Sequence, residues 1–200
     1  GTQTVQGRSF PKCVVVFGGR GGTGLFSAQK PGVESGDACD LISGIAEREE
    51  PEPGAQLAAL PFALDSLAGM RVVRTFAGNG ALLTRGPADT LEEAPRQPVM
   101  IIARSVGASL PSEPLRGDFA LRALNEFDGY PEPEIVSTAT VEVAGLPGIE
   151  HVADAVSAGD GTPARLVQTI LFDGEAGIYY RIVGISPRAE WAENGPVFAA

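Results

Sequence analysis

His151 is the only histidine in the 200-residue chain, and Cys13 and Cys39 are the only cysteines. These three side chains bound what metal or acid–base chemistry the sequence can offer. Structural zinc takes four Cys or His ligands, and catalytic zinc takes three plus water. One histidine and two distant cysteines do not make such a set, so no metal site is expected. In Glu150-His151-Val152-Ala153, His151 falls on the alternation of a strand. Such a position suits a surface or cross-strand residue better than a general base. A serine triad needs a nucleophile on a strained elbow, a histidine and a carboxylate. No Gly-x-Ser-x-Gly is present, and Ser105 and Ser137 sit at ordinary strand ends.

The glycine run Gly18-Gly19-Arg20-Gly21-Gly22-Thr23-Gly24 invites a phosphate-loop reading. That loop needs a lysine followed by Ser or Thr, and a helix directly after it. Here the segment 25–29 reads as extended, so the run is expected to be a hairpin turn and no cofactor is expected. The chain has 25 acidic residues, so carboxylate pairs of the glycosidase kind can be drawn in many ways and carry no information. Glu49, Glu50 and Glu52 read as a solvated charge run, without the spacing of a calcium loop. Tyr179, Tyr180, Arg181 and Trp191 form the one concentrated aromatic patch. Strand alternation puts Tyr179 and Arg181 on one face and Tyr180 and Ile182 on the other. Tyr and Arg are enriched in binding hot spots, so Tyr179, Arg181 and His151 are the candidate binding residues. The competing reading is a core strand. No catalytic residue is assigned.

Several elements must position these groups. Cys13-Val14-Val15-Val16-Phe17 is a β-branched run and reads as a strand, hairpinned to 25–29. Residues 37–49 carry Cys39, Leu41, Ile42, Ile45 and Ala46 at helical spacing, with Asp37 as a cap and proline and glycine ending the helix at 51–54. The strand 70–76, the turn Gly78-Asn79-Gly80 and the strand 81–86 form a second hairpin. The acidic, proline-bounded stretch 87–98 reads as a linker. Beyond it come a strand at 98–104 and an amphipathic helix at 118–127, with Phe119, Leu121, Ala123, Leu124 and Phe127 apolar. Strands follow at 134–143, 148–157, 164–173 and 177–185. A last helix is expected with Ser186 as N-cap and Pro187 in its first turn, held down by Trp191 and Phe198.

Runs of strands with segregated helices give an α+β class: antiparallel sheets with helices packed on one face. Ala68-Gly69-Met70-Arg71-Val72-Val73 lines up loosely with Ala144-Gly145-Leu146-Pro147-Gly148-Ile149, which suggests two similar halves, 1–90 and 96–200. Hydrophobic residues make up 44% and charged residues 20%, the composition of a folded chain. The net charge of −10 repels phosphate backbones, so nucleic acid is excluded as a partner. No apolar run is long enough to span a membrane. The chain opens Gly1-Thr2-Gln3-Thr4 without Met, the expectation being a removed leader and a Gly left by a tag. With an even cysteine count, this points to a periplasmic or secreted protein with a Cys13–Cys39 disulfide. Two buried thiols are the alternative.

The second half, with Val143-Ala144-Gly145-Leu146-Pro147-Gly148-Ile149 between its helix and its long strands, and Tyr179-Tyr180-Arg181-Ile182-Val183-Gly184-Ile185-Ser186-Pro187-Arg188-Ala189-Glu190-Trp191 at its close, resembles the Mog1/PsbP-like superfamily, including DcrB-type envelope proteins. The chain also resembles uncharacterised exported bacterial proteins at 67–86 and 179–191. The resemblance implies an antiparallel sheet, and a non-catalytic binding or assembly factor with a protein partner in the cell envelope. The alternative is a small-molecule binder or weak hydrolase using a cleft between the halves.

Overall fold

The computed structural model describes all residues except 1, 6, 20–21, 30–38, 41, 43–50, 77, 90–95 and 199–200. The chain divides into two compact units, Gly1–Glu50 and Pro51–Ala200. Most of the helix expected at 37–49, and Glu49 and Glu50 of the charge run, lie outside the described residues.

The first unit is an antiparallel meander of β1 (Thr2–Val5), β2 (Arg8–Gly19) and β3 (Gly22–Gln29). Gly19 pairs with Gly22, so the described glycines of the run lie at the ends of two hairpinned strands; 20–21 lie outside the described residues. Cys13 and Val15 point to one face, where they pack with Ala28, Cys39 and Ile42. A disulfide joins Cys13 to Cys39 across that cluster. Among the described residues this cluster has two buried members, and a cross-link that restricts the unfolded chain adds to its stability.

The second unit is built on one seven-stranded antiparallel sheet. In chain order its elements are α1 (Pro53–Ala58), β4 (Arg71–Phe76), β5 (Gly80–Thr84), β6 (Val99–Arg104), α2 (Arg116–Asn125), β7 (Glu134–Val143), β8 (Leu146–Val156), β9 (Pro163–Asp173), β10 (Ile178–Pro187) and α3 (Trp191–Phe198). The strand order is β4-β5-β6-β10-β9-β8-β7. The edge strands β4 and β7 each carry a register shift, at Val72/Arg74 and at Ile135/Ser137. Bulges concentrate at sheet edges.

Helices cover both faces of this sheet, not one. On the first face, Ala120 and Leu124 of α2 pack over Ala153, Leu166, Ile170, Phe172 and Val183. On the second, Trp191 and Phe198 of α3, with Leu57, Leu60 and Phe62, cover Ala81, Leu83, Met100, Ile102 and Val167. The cause is visible in the central strands, where β5 and most of β9 are buried at consecutive positions. A strand buried at every position needs a layer on each side. Gly184 makes room for α3: a Cβ there would stand 2.5 Å from the Phe198 ring.

The described residues do not show two similar halves. Strands β5 and β6, on either side of the stretch 87–98 expected to be a linker, are hydrogen-bonded neighbours in one sheet. The sequence echo is one of turn chemistry. Ala68-Gly69 and Ala144-Gly145 both take left-handed φ, at 48° and 76° and at 52° and 78°. Two local expectations also change. Leu121 is exposed and Ala120 takes its place on the buried face, because 116, 119, 120, 123, 124 and 127 share a helical stripe. Ser186 is not an N-cap: β10 runs on to Pro187, which itself caps a 3-10 turn at Arg188–Glu190.

Candidate functional site

The chemically capable side chains of the second unit gather in two places. The first is a polar row on the face beneath α2. Thr138 of β7 stands opposite His151 of β8, and His151 stands opposite Gln168 of β9. Arg181 of β10 reaches Gln168 on the diagonal. The strand register sets this row, because alternate residues of four neighbouring strands fall on one face.

The links of the row are specific. Thr138 Oγ1 and His151 Nδ1 share a 2.8 Å hydrogen bond. Gln168 Nε2 donates to the Ala120 carbonyl at 2.8 Å. Arg181 Nε donates to Gln168 Oε1 at 2.8 Å, and its Nη2 donates to the Ala123 carbonyl at 2.6 Å. The Arg181 guanidinium lies 5.2 Å from the Phe127 ring centroid, a cation–π distance. Tyr179 meets Phe119 edge-on at 5.0 Å. Tyr179 and Arg181 are therefore half-buried under α2, and the face they share is packing and not an open Tyr/Arg surface.

Burial sets the electrostatics here. It lowers the Arg181 pKa from the ordinary guanidinium value, against the opposing pull of Tyr179 and Glu126. It also lowers the pKa of His151, which is 4% exposed. His151 Nε2 is buried with no hydrogen-bond partner. In a catalytic triad the histidine nitrogen away from the nucleophile is held by a carboxylate. The Thr138–His151 pair has no such group, so it lacks the arrangement that would make Thr138 a nucleophile. Tyr130 is a second buried polar group on this face; burial, aided by Asp160, pushes its hydroxyl pKa up to about 12.

The second gathering lies on the opposite face. Arg165 grips Asp154 with two hydrogen bonds, Nε to Oδ1 at 2.7 Å and Nη2 to Oδ2 at 3.0 Å. Arg188 Nη2 reaches the same carboxylate at 2.9 Å, and the Arg165 guanidinium lies 5.6 Å from the Trp191 ring centroid. The hydrogen bond from Arg165 is the main cause that holds the Asp154 carboxyl below its usual pKa. Asn194 donates to Ser186 Oγ at 3.2 Å and to Glu190 Oε2 at 3.3 Å. This network fastens α3 to the sheet. Sequence reading missed it, although the in-register pair Asp154–Arg165 follows once β8 and β9 are aligned.

Among the described residues no group of three His, Cys, Asp or Glu side chains could hold a metal ion. No described helix is long and apolar enough to cross a membrane. The edge strand β7 is presented to solvent. Nine of its ten residues are exposed, Val141 alone being half-buried. Among the described residues it pairs only with β8.

The fold is an antiparallel α+β sheet. No protein-family model matches the chain, and no curated relative matches it. Its remote structural likeness is to proteins of the Mog1/PsbP-like fold. A Pseudomonas aeruginosa protein of unknown function, PA94, is 12% identical with a TM-score of 0.44, over 65% of this chain and 91% of its own. Cyanobacterial PsbP (CyanoP) from Synechocystis is 12% identical with a TM-score of 0.44, over 66% and 77%. The Saccharomyces cerevisiae Ran-binding protein Mog1p is 16% identical with a TM-score of 0.42, over 65% and 74%. These likenesses concern the fold and say nothing of a shared site.

Proposed function

We propose that the chain is a non-catalytic binding or assembly module that works in an oxidising, extracytoplasmic compartment. One observation carries the first part. Among the described residues, the polar groups gathered on the two faces, Gln168, Arg181, Asp154 and Arg165, are each consumed by partners inside the fold, and His151 is buried. A catalytic group must reach substrate, and these groups reach one another. The Cys13–Cys39 disulfide supports the second part, since such bonds persist where glutathione does not reduce them.

The reading is tested by crosslinked affinity capture from the envelope extract of the native host, read by mass spectrometry. The expected result is one reproducible partner at near-stoichiometric yield. The contrary result is no partner above background together with a metabolite that raises the melting temperature, which would favour a small-molecule binder.

A further inference from the structure

We infer that the outer edge of β7 is a docking strand for an extended, cationic segment of a partner protein. The inference rests on the binding-module reading above and gives that reading a surface and a ligand class.

An edge strand carries a row of unpaired N–H and C=O groups, which natural sheets usually shorten, cover or dress with lysine. β7 is ten residues long and has no lysine or arginine. Ile135 is 38% exposed, Val136 51% and Val143 41%, so the strand is uncovered along its length. The opposite edge, β4, is dressed instead. Arg71 folds back onto the carbonyls of Gly86 and Ala88 and pairs with Asp89, and Thr75 donates to Gln56 of α1. The Ile135/Ser137 bulge disturbs only the start of β7, and 137–143 pairs with β8 without interruption.

Charge selects the occupant. The β7–β8 hairpin carries Glu134, Glu142, Glu150 and Asp154 and no Lys or Arg on either strand. Arg165 and Arg188 neutralise Asp154, and Thr169 hydrogen-bonds Glu150. Among the described residues no hydrogen bond or ion pair is seen for Glu134 and Glu142, which stand near the two ends of the edge. A second copy would pair antiparallel to its twin. In such a pair centred on Thr138, the Glu134 end of each chain lies beside the Glu142 end of the other, the bulge putting the two carboxylates on opposite faces, so like charges gather at both ends. Opposed like charges across strands destabilise pairing. A segment with Lys or Arg at both ends brings a cation close to each carboxylate, while its backbone completes the ladder along 137–143. Main-chain bonds then supply affinity and the flanking charges supply selection, as in other strand-addition complexes.

The probe is a capped peptide of alternating Thr and Val, about nine residues long, with Arg at each end, added to the isotopically labelled full chain. The expected result is backbone amide shifts confined to β7 and β8, with a Kd on the order of 100 µM. The same peptide with Glu at its ends should bind about tenfold more weakly, because two weak surface ion pairs become two repulsions. A double E134K/E142K variant, both positions exposed, should exchange the two preferences. N-methylation of alternate peptide amides should abolish binding. Equal binding of both peptides, retained binding after N-methylation, or a chain that dimerises through β7 would overturn the inference. If envelope capture yields a partner whose crosslinks avoid β7, the edge inference falls while the binding-module reading stands.

Discussion

Arg181 illustrates how much a single side chain can hold. It donates to Gln168 Oε1 and to the Ala123 carbonyl, both beneath α2. Arg181→Met removes both donors and leaves buried acceptors unpaired, at a cost of roughly 1–3 kcal/mol each. A loss of about 2–4 kcal/mol in urea unfolding is expected; a loss under about 0.5 kcal/mol would show the contacts to be slack. His151 sets a pH dependence of defined sign. Burial lowers its folded pKa, so near the ordinary value of about 6.5 the unfolded chain takes up the proton first. The His151 contribution is therefore fully present above about pH 6.5. It is lost as pH falls through 6.5 towards the lower folded value, by at most about 1.4 kcal/mol per pH unit. His151→Gln should flatten the stability profile just below about pH 6.5; an unchanged slope there would contradict the burial argument. Ala144 takes φ 52° in the β7–β8 turn, a conformation that costs a non-glycine residue roughly 1 kcal/mol. Ala144→Gly should raise stability by about 0.5–1 kcal/mol, read as an increase in melting temperature; a decrease would mean the Ala methyl does unseen packing.

At the scale of elements, the sequence and the fold agree where period alone decides. Glu134–Val143 is read within its bounds, and the strands 163–173 and 178–187 within two residues at each end, because β-branched runs between glycine and proline turns leave little choice. Alternation correctly puts Tyr179 and Arg181 on one face. It does not say what covers that face, and α2 does. The signal for helices on both faces was in the sequence: Leu166 to Phe172 and Val99 to Ile102 are near-continuous apolar runs, which half-buried strands do not show. Gln168 at the centre of such a run was the one mark of the polar row. The row itself depends on register across four strands, which no local pattern encodes. In the first unit the disulfide closes a separation of 26 residues and in the loop-entropy model contributes about 3.5 kcal/mol. Reduction should strip amide protection from β2 and leave β9 protected; unchanged β2 protection would show that the meander holds without its bridge.

For the whole molecule, the expected break near residue 90 came from composition, since an acidic, proline-bounded stretch reads as a linker. The boundary between compact units lies at Glu50–Pro51, and Gln97 draws the two ends of the later stretch together by two hydrogen bonds with the Ala88 backbone. A Cβ at Gly86 would stand 1.9 Å from Gln97 Oε1, so glycine is required where that loop folds against itself. The Ala-Gly pairs at 68–69 and 144–145 echo one another because turn residues recur wherever a left-handed pair is needed. Across the seven-stranded sheet, burial falls from β9, closed on both faces, to β7, open along its edge. Polar side chains are sealed inside this sheet, and backbone is offered at one border. Residue-resolved amide hydrogen exchange on the full chain tests it most directly. Every second amide of 137–143 should exchange with protection below about tenfold, while the amides of β9 are protected on the order of 10,000-fold or more. Uniform protection along β7 would mean that its edge is already covered, and the account would be wrong.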